Sequence, residues 1–397
     1  MKIKTSQTIS LDLSILLLIV SYFFISVGQI QRIQLSYHAA FYAHDLFITL
    51  FVFATSLIHS KTIFGFLKKQ WFENPVWKWL AIFLGWSLFS LIFNQLLFGF
   101  NIFPWLYWLR LFVYLSAGIL MYKLKHEGSQ RHQWLKLVFI ISSIIFLSIG
   151  FLQYLLIPDL RFLGSQGWDV HFFRLAGSLL DPNFLGMILV NSLFVWIFAI
   201  ASNNNWRMGV GVLFILALLL TYSRSSYGAF LLMSVFCLFL SKTKPSAAKV
   251  KKPLLILTAL FIMLIPFLPR PGGLGVQLSR TETMVSRTKV NQEALANISF
   301  DDLIMGKGLF VSTVNLEVSD QIIHANFPDN LFVFLLTGTG IIGVALFLYF
   351  LFLLFKNLYH NNSLHFLLIL GILAHSMFNL TLTEPINLLM LILALQI

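Results

Sequence analysis

A long polar loop followed directly by a long apolar run is the part of the sequence best suited to chemistry. The loop covers residues 269–328 and the apolar run covers residues 329–355. The side chains in the loop that are able to contact a charged ligand are Arg270, Arg280, Arg287, Lys289, Lys307 and His324. Basic side chains beside an apolar helix favour a reaction on an anionic substrate at a membrane surface.

The elements that position this loop are predicted to be membrane-spanning helices. Hydrophobic residues make up 58% of the chain and charged residues 11%. Runs of about 20 apolar residues recur along the sequence, and each is long enough to cross a bilayer as a helix. Backbone polar groups in lipid must be satisfied internally, so helices are expected rather than strands. Twelve spans are predicted, at roughly 11–28, 45–58, 77–98, 103–122, 134–156, 183–201, 208–221, 225–241, 253–268, 329–355, 364–377 and 379–396. We therefore expect one all-α polytopic membrane domain over residues 1–397.

The basic residues between the spans predict the orientation of the chain. Lysines cluster in alternate loops, as in 242–252, and the positive-inside rule places such loops in the cytoplasm. Twelve crossings then put both termini in the cytoplasm, and the long loop between the ninth and tenth spans lies on the outer side. Only Lys289 and Lys307 among the lysines fall outside.

The arginines follow the opposite pattern. All of them except Arg131 and Arg207 lie outside or within a span under this topology. A guanidinium group binds phosphate through two parallel hydrogen bonds and stays charged when partly buried. This bias indicates an outer-face phosphate or diphosphate ligand. The alternative is that these arginines pair with carboxylates such as Asp159 and Asp181 or reach the lipid headgroups.

Two shorter segments contribute further candidates. Asp181 and Pro182 are typical of a helix N-terminus, with Asp181 as the N-cap, and that terminus together with Arg174 is suited to hold an anion. Arg224 lies in the turn TYSRSSYGAF, at or just inside the outer interface. A charge at that depth is costly unless it faces a polar cavity or a partner. For Arg110, deeper in its helix, a structural ion pair and a functional role are equally compatible with the sequence.

Several other classes of site are excluded or disfavoured. The basic residues form no continuous face, which argues against nucleic acid. Gly338–Gly343 matches the string G-x-G-x-x-G, but it follows no strand and lies in a span, where glycines allow close helix approach. No acidic pair or histidine set suggests a metal, and the single Cys237 allows neither a disulfide framework nor a thiolate metal site within one chain. No cofactor and no metal are expected.

Four stretches together resemble the superfamily of bacterial O-antigen ligases and O-antigen polymerases, over roughly residues 160–355. They are RLAGSLLDPNFLG, LLLTYSRSSYGAFLL, SRTKVNQEALANISFDDLIMGKGL and DNLFVFLLTGTGIIGVALF. The resemblance implies a helical membrane fold related to the GT-C class, in the bacterial cytoplasmic membrane. It also implies metal-independent, inverting transfer of a glycan from undecaprenyl diphosphate to a lipid A core, another glycan or a protein. Arg174, Arg224 and Arg287 match the family's diphosphate-binding arginines, with Asn183, Asn330 and Arg280 in support.

The sequence offers two candidates for the base that activates the acceptor. Ligases of the family usually have a histidine before the asparagine of this motif, whereas Asp329 precedes Asn330 here. Either Asp329 takes the role or His324 reaches in from the loop, and a near-neutral pKa favours a histidine. The Asp-Asn form is also common among polymerase-like members, so both ligase and polymerase activities remain open.

A transporter of lipid-linked glycans and a structural membrane protein are the competing functional classes. Transporters often contain inverted repeats, and no second copy of the 160–230 or 270–355 pattern is present. A structural protein would leave the arginine bias without an explanation.

Overall fold

Fifteen α-helices make up most of the part of the chain that the computed structural model describes, namely residues 12–36, 39–166, 168–313 and 327–397. They are α1 (Leu13–Val27), α2 (Ala43–Ile58), α3 (Ser60–Glu73), α4 (Pro75–Phe98), α5 (Ile102–His126), α6 (Ser129–Leu156), α7 (Pro182–Val195), α8 (Asn204–Leu220), α9 (Arg224–Leu240), α10 (Pro245–Leu264), α11 (Glu282–Ala296), α12 (Phe300–Met305), α13 (Leu331–Asn361), α14 (Ser363–Ser376) and α15 (Pro385–Ala394). A helix coincides with each of the twelve predicted spans. The chain is therefore an all-α membrane protein.

The helices differ in whether they are long enough to cross a membrane. Among the described residues, seven helical segments are long and apolar enough to cross a membrane, or eight if the bent pair α2 and α3 counts as one span. Four further apolar helices, α8, α9, α14 and α15, are shorter. The count of twelve crossings and the relation to the GT-C class stay predictions.

Two elements near the start of the chain were not predicted. Residues Ile33–Ser36 (β1) and Ala39–Phe41 (β2) form a small antiparallel hairpin between α1 and α2. Helix α3 bends away from α2 by 97°. Its exposed side chains include both the lysines Lys61, Lys68 and Lys69 and the large apolar residues Phe64 and Phe72.

The core is built around α7, which is buried over most of its length. A helix that is apolar on all sides is buried, either among other helices or in lipid. Here α6, α8, α9, α14 and α15 pack against α7. Phe194 of α7 meets Phe230 of α9, which in turn contacts Phe261 of α10. This packing places the N-termini of α7 and α9 side by side.

Helix α13 is broken at Gly340, whose backbone has φ 65° and ψ −176°. Carbonyl groups lose their helical partners at such a break. The amides of Lys307 and Gly308 donate to the carbonyls of Thr337 and Gly338, both at 2.9 Å. From α4, Trp86 Nε1 donates to the Thr339 carbonyl at 2.8 Å, and Ser90 Oγ to that of Gly338 at 3.1 Å. The glycines thus admit both a neighbouring helix and the turn that follows α12.

Candidate functional site

The N-termini of α7 and α9 meet at one end of the helix bundle through a cluster of hydroxyl groups. Asp181 caps α7, as the sequence predicts, by accepting from the amides of Asn183 and Phe184 at 2.6 and 3.1 Å. Ser223 Oγ donates to Asn183 Oδ1 at 3.0 Å, and Ser226 Oγ donates to the Asn183 carbonyl at 3.2 Å. The predicted supporting residue Asn183 therefore joins the α7 terminus to the turn at the start of α9.

Arg174 lies beside this turn and is almost completely buried. Its Nε donates to the Thr221 carbonyl at 2.9 Å, whereas its Nη2 is buried without a hydrogen-bond partner among the described residues. Burial, followed by the positive charge of Arg280, lowers the pKa of Arg174 to about 9. The side chain is thus held in place through one nitrogen and leaves a charged donor unsatisfied.

Arg280 and Arg224 tie the long loop to the same turn. Arg280 is buried, and its Nη1 donates to the carbonyls of Gly275 and Gln277 at 2.6 and 2.9 Å, while its Nη2 donates to the Tyr222 carbonyl at 3.1 Å. Burial, followed by the charge of Arg224, lowers the pKa of Arg280 to about 10. Arg224 Nη1 donates to the Arg280 carbonyl at 2.6 Å.

The contacts of Arg224 extend into α11 as well. Its Nη2 donates to Thr283 Oγ1 at 3.0 Å, one residue beyond the start of that helix. Both terminal nitrogens of Arg224 are therefore engaged with the loop, in contrast to those of Arg174.

Arg287 belongs to α11 and reaches the other side of the cluster. Its Nη2 donates to Asn379 Oδ1 at 2.6 Å, and its Nε lies 3.8 Å from Asp329 Oδ2. Burial raises the pKa of the Asp329 carboxyl, and the charge of Arg287 opposes that rise. Repulsion from Arg287 also acts on both Arg174 and Arg280. Three segments distant in sequence thus bring these arginines into mutual electrostatic contact.

Residues after α13 complete the cluster, and the sequence reasoning missed them. Asn379 Nδ2 donates to Ser225 Oγ at 2.8 Å, and Ser225 Oγ lies 3.0 Å from His375 Nε2. The other ring nitrogen, Nδ1, lies 2.6 Å from Thr381 Oγ1. The only sequence signal was a histidine and an asparagine close together in a strongly apolar region.

The family model described as O-antigen ligase matches residues 209–348. Residues 209–348 are similar to this family. This confirms the resemblance to the ligase and polymerase superfamily. No curated protein sequence matches the chain. The matched stretch contains Arg224, Arg280, Arg287 and Asp329, whereas Arg174 lies before it and His375 after it.

Among the described residues, one group of side chains has the composition of a metal site. Ligand atoms of Asp169, His171 and Asp181 lie within 4.8 Å of one another. His171 is buried, and burial followed by the charge of Arg174 lowers its pKa to about 4. The positive charges of Arg174 and Arg280 act on His171, and the charge of Asp181 acts on it with the opposite sign.

Other predicted residues lie elsewhere or in supporting positions. Arg110 forms a structural ion pair with Asp45 at 2.7 Å. Arg161 pairs with Asp159 at 2.7 Å at an exposed position. Asn330 caps α13, and its Nδ2 donates to the Met377 carbonyl at 3.0 Å. The candidate base His324 lies outside the residues that the structure describes.

Proposed function

We propose that this chain is a membrane glycosyltransferase. It transfers a glycan from undecaprenyl diphosphate to an acceptor, the lipid A core or another surface acceptor, at the outer face of the cytoplasmic membrane. The reaction is a metal-independent displacement with inversion at the anomeric carbon. Polymerisation of a surface glycan is the alternative within the same superfamily, and the Asp329–Asn330 pair keeps it open.

The observation that carries the proposal is the unsatisfied Nη2 of Arg174. A buried donor without a partner is costly, and more so when it carries charge. The neighbouring charges of Arg280 and Arg287 add repulsion, which the charge of Asp181 opposes. An anion with several oxygens would satisfy Arg174 and offset that repulsion. Because Nη2 is enclosed, the neighbouring side chains must move apart when the donor enters.

The chemistry follows from the charges that develop during transfer. The acceptor hydroxyl attacks the anomeric carbon, the bond from that carbon to the phosphate oxygen breaks, and its electron pair stays on the departing diphosphate. Fixed guanidinium groups stabilise charge that develops on those oxygens. In this proposal Arg174 and Arg287 contact the diphosphate. Arg224 bonds the carbonyl of Arg280, and Arg280 bonds the carbonyl of Tyr222. These two arginines hold the long loop against the diphosphate.

A base must accept the proton of the acceptor hydroxyl as it attacks. Asp329 and His324 stay the two candidates. Asp329 precedes α13 and lies next to Arg287, and a carboxyl with a raised pKa is a stronger base than an ordinary one.

Reconstitution tests the proposal. The purified chain in lipid nanodiscs is mixed with an undecaprenyl-diphosphate-linked glycan and, separately, with lipid A core, free glycan or protein acceptors. We expect release of undecaprenyl diphosphate together with a product joined to one acceptor class, and that class distinguishes ligase from polymerase. Boiled protein is the control. Movement of intact lipid-linked glycan between leaflets without a new glycosidic bond would contradict the proposal and favour a transporter.

A further inference from the structure

Four side chains next to Arg287 form a closed circuit of hydrogen bonds. Asn379, His375 and Thr381 are buried, and Ser225 is half-buried. The circuit passes from Asn379 Nδ2 to Ser225 Oγ at 2.8 Å, then to His375 Nε2 at 3.0 Å. From His375 Nδ1 it continues to Thr381 Oγ1 at 2.6 Å and returns to the Asn379 carbonyl at 3.0 Å. It joins α9 to the end of α14 and the segment that follows.

The direction of every bond in the circuit can be assigned. The Thr381 hydroxyl donates to the Asn379 carbonyl, which can only accept, so its oxygen is left to accept from His375 Nδ1–H. His375 Nε2 is then an acceptor, and it receives the hydroxyl proton of Ser225. Ser225 in turn accepts from the Asn379 amide nitrogen. Each group donates to the next, an arrangement in which hydrogen bonds reinforce one another.

This direction fixes the orientation of the Asn379 amide. With its nitrogen directed to Ser225, the amide oxygen Oδ1 faces Arg287 and accepts from Nη2 at 2.6 Å. A flipped amide would direct an N–H group at the guanidinium, where donor meets donor. Without the imidazole, the Ser225 hydroxyl would be left with Ser223 Oγ, at 3.2 Å, as its alternative partner, and the Asn379 amide would be held in place only from the Arg287 side.

We propose that His375 is a positioning residue for the transfer reaction and acts through Ser225 and Asn379 on the guanidinium of Arg287. This inference rests on the proposed function, in which Arg287 contacts the diphosphate of the donor. His375 itself does not contact the donor. It aligns Arg287 for the departing group, so its removal reduces catalysis by misplacing a charge rather than by removing one.

The test is a double-mutant cycle on the reconstituted chain, with His375→Gln, Arg287→Lys and the double variant. The single terminal amide of glutamine in His375→Gln cannot hold Ser225 and Thr381 at the positions of the two ring nitrogens, so the circuit opens. We expect His375→Gln to lower kcat/KM for the lipid-linked donor about tenfold, with KM for the acceptor unchanged. In the Arg287→Lys background the same substitution should have little further effect, because both act through one guanidinium. Two additive losses would indicate a purely structural role and overturn the inference.

Controls separate this inference from the function on which it rests. His365→Gln removes another imidazole from α14, outside the circuit, and is expected to retain wild-type kcat/KM. Pyrophosphate affinity is measured on every variant in parallel. If the wild type transfers no glycan, the proposed function fails, yet weaker pyrophosphate binding by His375→Gln would still support the positioning role. Unchanged pyrophosphate affinity and unchanged transfer in that variant would overturn it.

Discussion

Replacement of Arg174 by lysine removes the one charged donor in the described part of the site that is enclosed and unpaired. The ammonium of lysine is a point charge without the guanidinium fork, so it cannot bond the Thr221 carbonyl and an anion in the same geometry. We therefore expect Arg174→Lys to lose transition-state stabilisation even though the net charge is unchanged.

The size of the loss can be worked from the contacts. A hydrogen bond to a charged group contributes about 1.5–3 kcal/mol. Each 1.4 kcal/mol or so changes a rate about tenfold, so kcat/KM should fall roughly 10- to 150-fold. The electrostatic cost of keeping Arg174 charged is larger. Burial, followed by the charge of Arg280, lowers the pKa of Arg174 to about 9, which corresponds to on the order of 5 kcal/mol for the charged form.

The assay compares initial rates of glycan transfer at several donor concentrations. Arg161→Lys is the matched control, because Arg161 lies on the same loop but is exposed and paired with Asp159. Thermal unfolding with and without pyrophosphate gives a second measurement, in which the anion should raise the Tm of the wild type more than that of Arg174→Lys. Wild-type kcat/KM together with a wild-type pyrophosphate shift in Arg174→Lys would refute this account.

The remaining predictions concern the second arginine, the base, the absence of a metal requirement and the helix break. Arg287→Lys should lower kcat by about tenfold or more with intact expression, and full activity would remove it from the diphosphate site. If Asp329 is the base, activity rises with pH as its carboxyl loses its proton, and the raised pKa moves this rise to higher pH than for an ordinary carboxyl. Asp329→Asn should then lose turnover while His324→Ala keeps it. The reverse result would assign His324 as the base. Transfer should persist in excess chelator, whereas a strict requirement for added divalent cation would contradict charge stabilisation by arginine alone. Gly340→Ala should lower the free energy of unfolding by about 3 kcal/mol or more, because the residue needs φ 65° and an added Cβ would lie 2.1 Å from the Ile304 carbonyl oxygen. The control is Gly85→Ala, in open space within α4, which should be neutral or stabilising.

The sequence predicts those parts of the molecule that depend on local patterns. Apolar periodicity locates a helix at each predicted span, and Asp181 with Pro182 marks the start of α7 within one residue. The turn that carries Arg224 is also evident, because the short polar stretch TYSRSS separates the two apolar runs. These features depend on interactions between residues near each other in the chain.

The composition of the site could not be predicted in the same way. His375 and Ser225 are 150 residues apart in the chain, and nothing in the apolar sequence around His375 indicates a hydroxyl partner. The arginines present the same difficulty. Arg174 and Arg280 are alike by residue type, yet one guanidinium bonds three loop carbonyls and the other keeps an unbonded nitrogen among the described residues. Only the packing of separate segments decides which of these two arginines has a structural role.

The interruption of α13 limits how freely the outer loop can be exchanged between relatives. The amides of Lys307 and Gly308 bond the carbonyls of Thr337 and Gly338, while Trp86 of α4 bonds the carbonyl of Thr339 and Ser90 adds a second bond to that of Gly338. A chimera that imports a foreign loop alone would leave buried peptide carbonyls of α13 without partners. Grafting of acceptor preference therefore requires that the turn, the glycine segment and the matching face of α4 be transplanted as one unit.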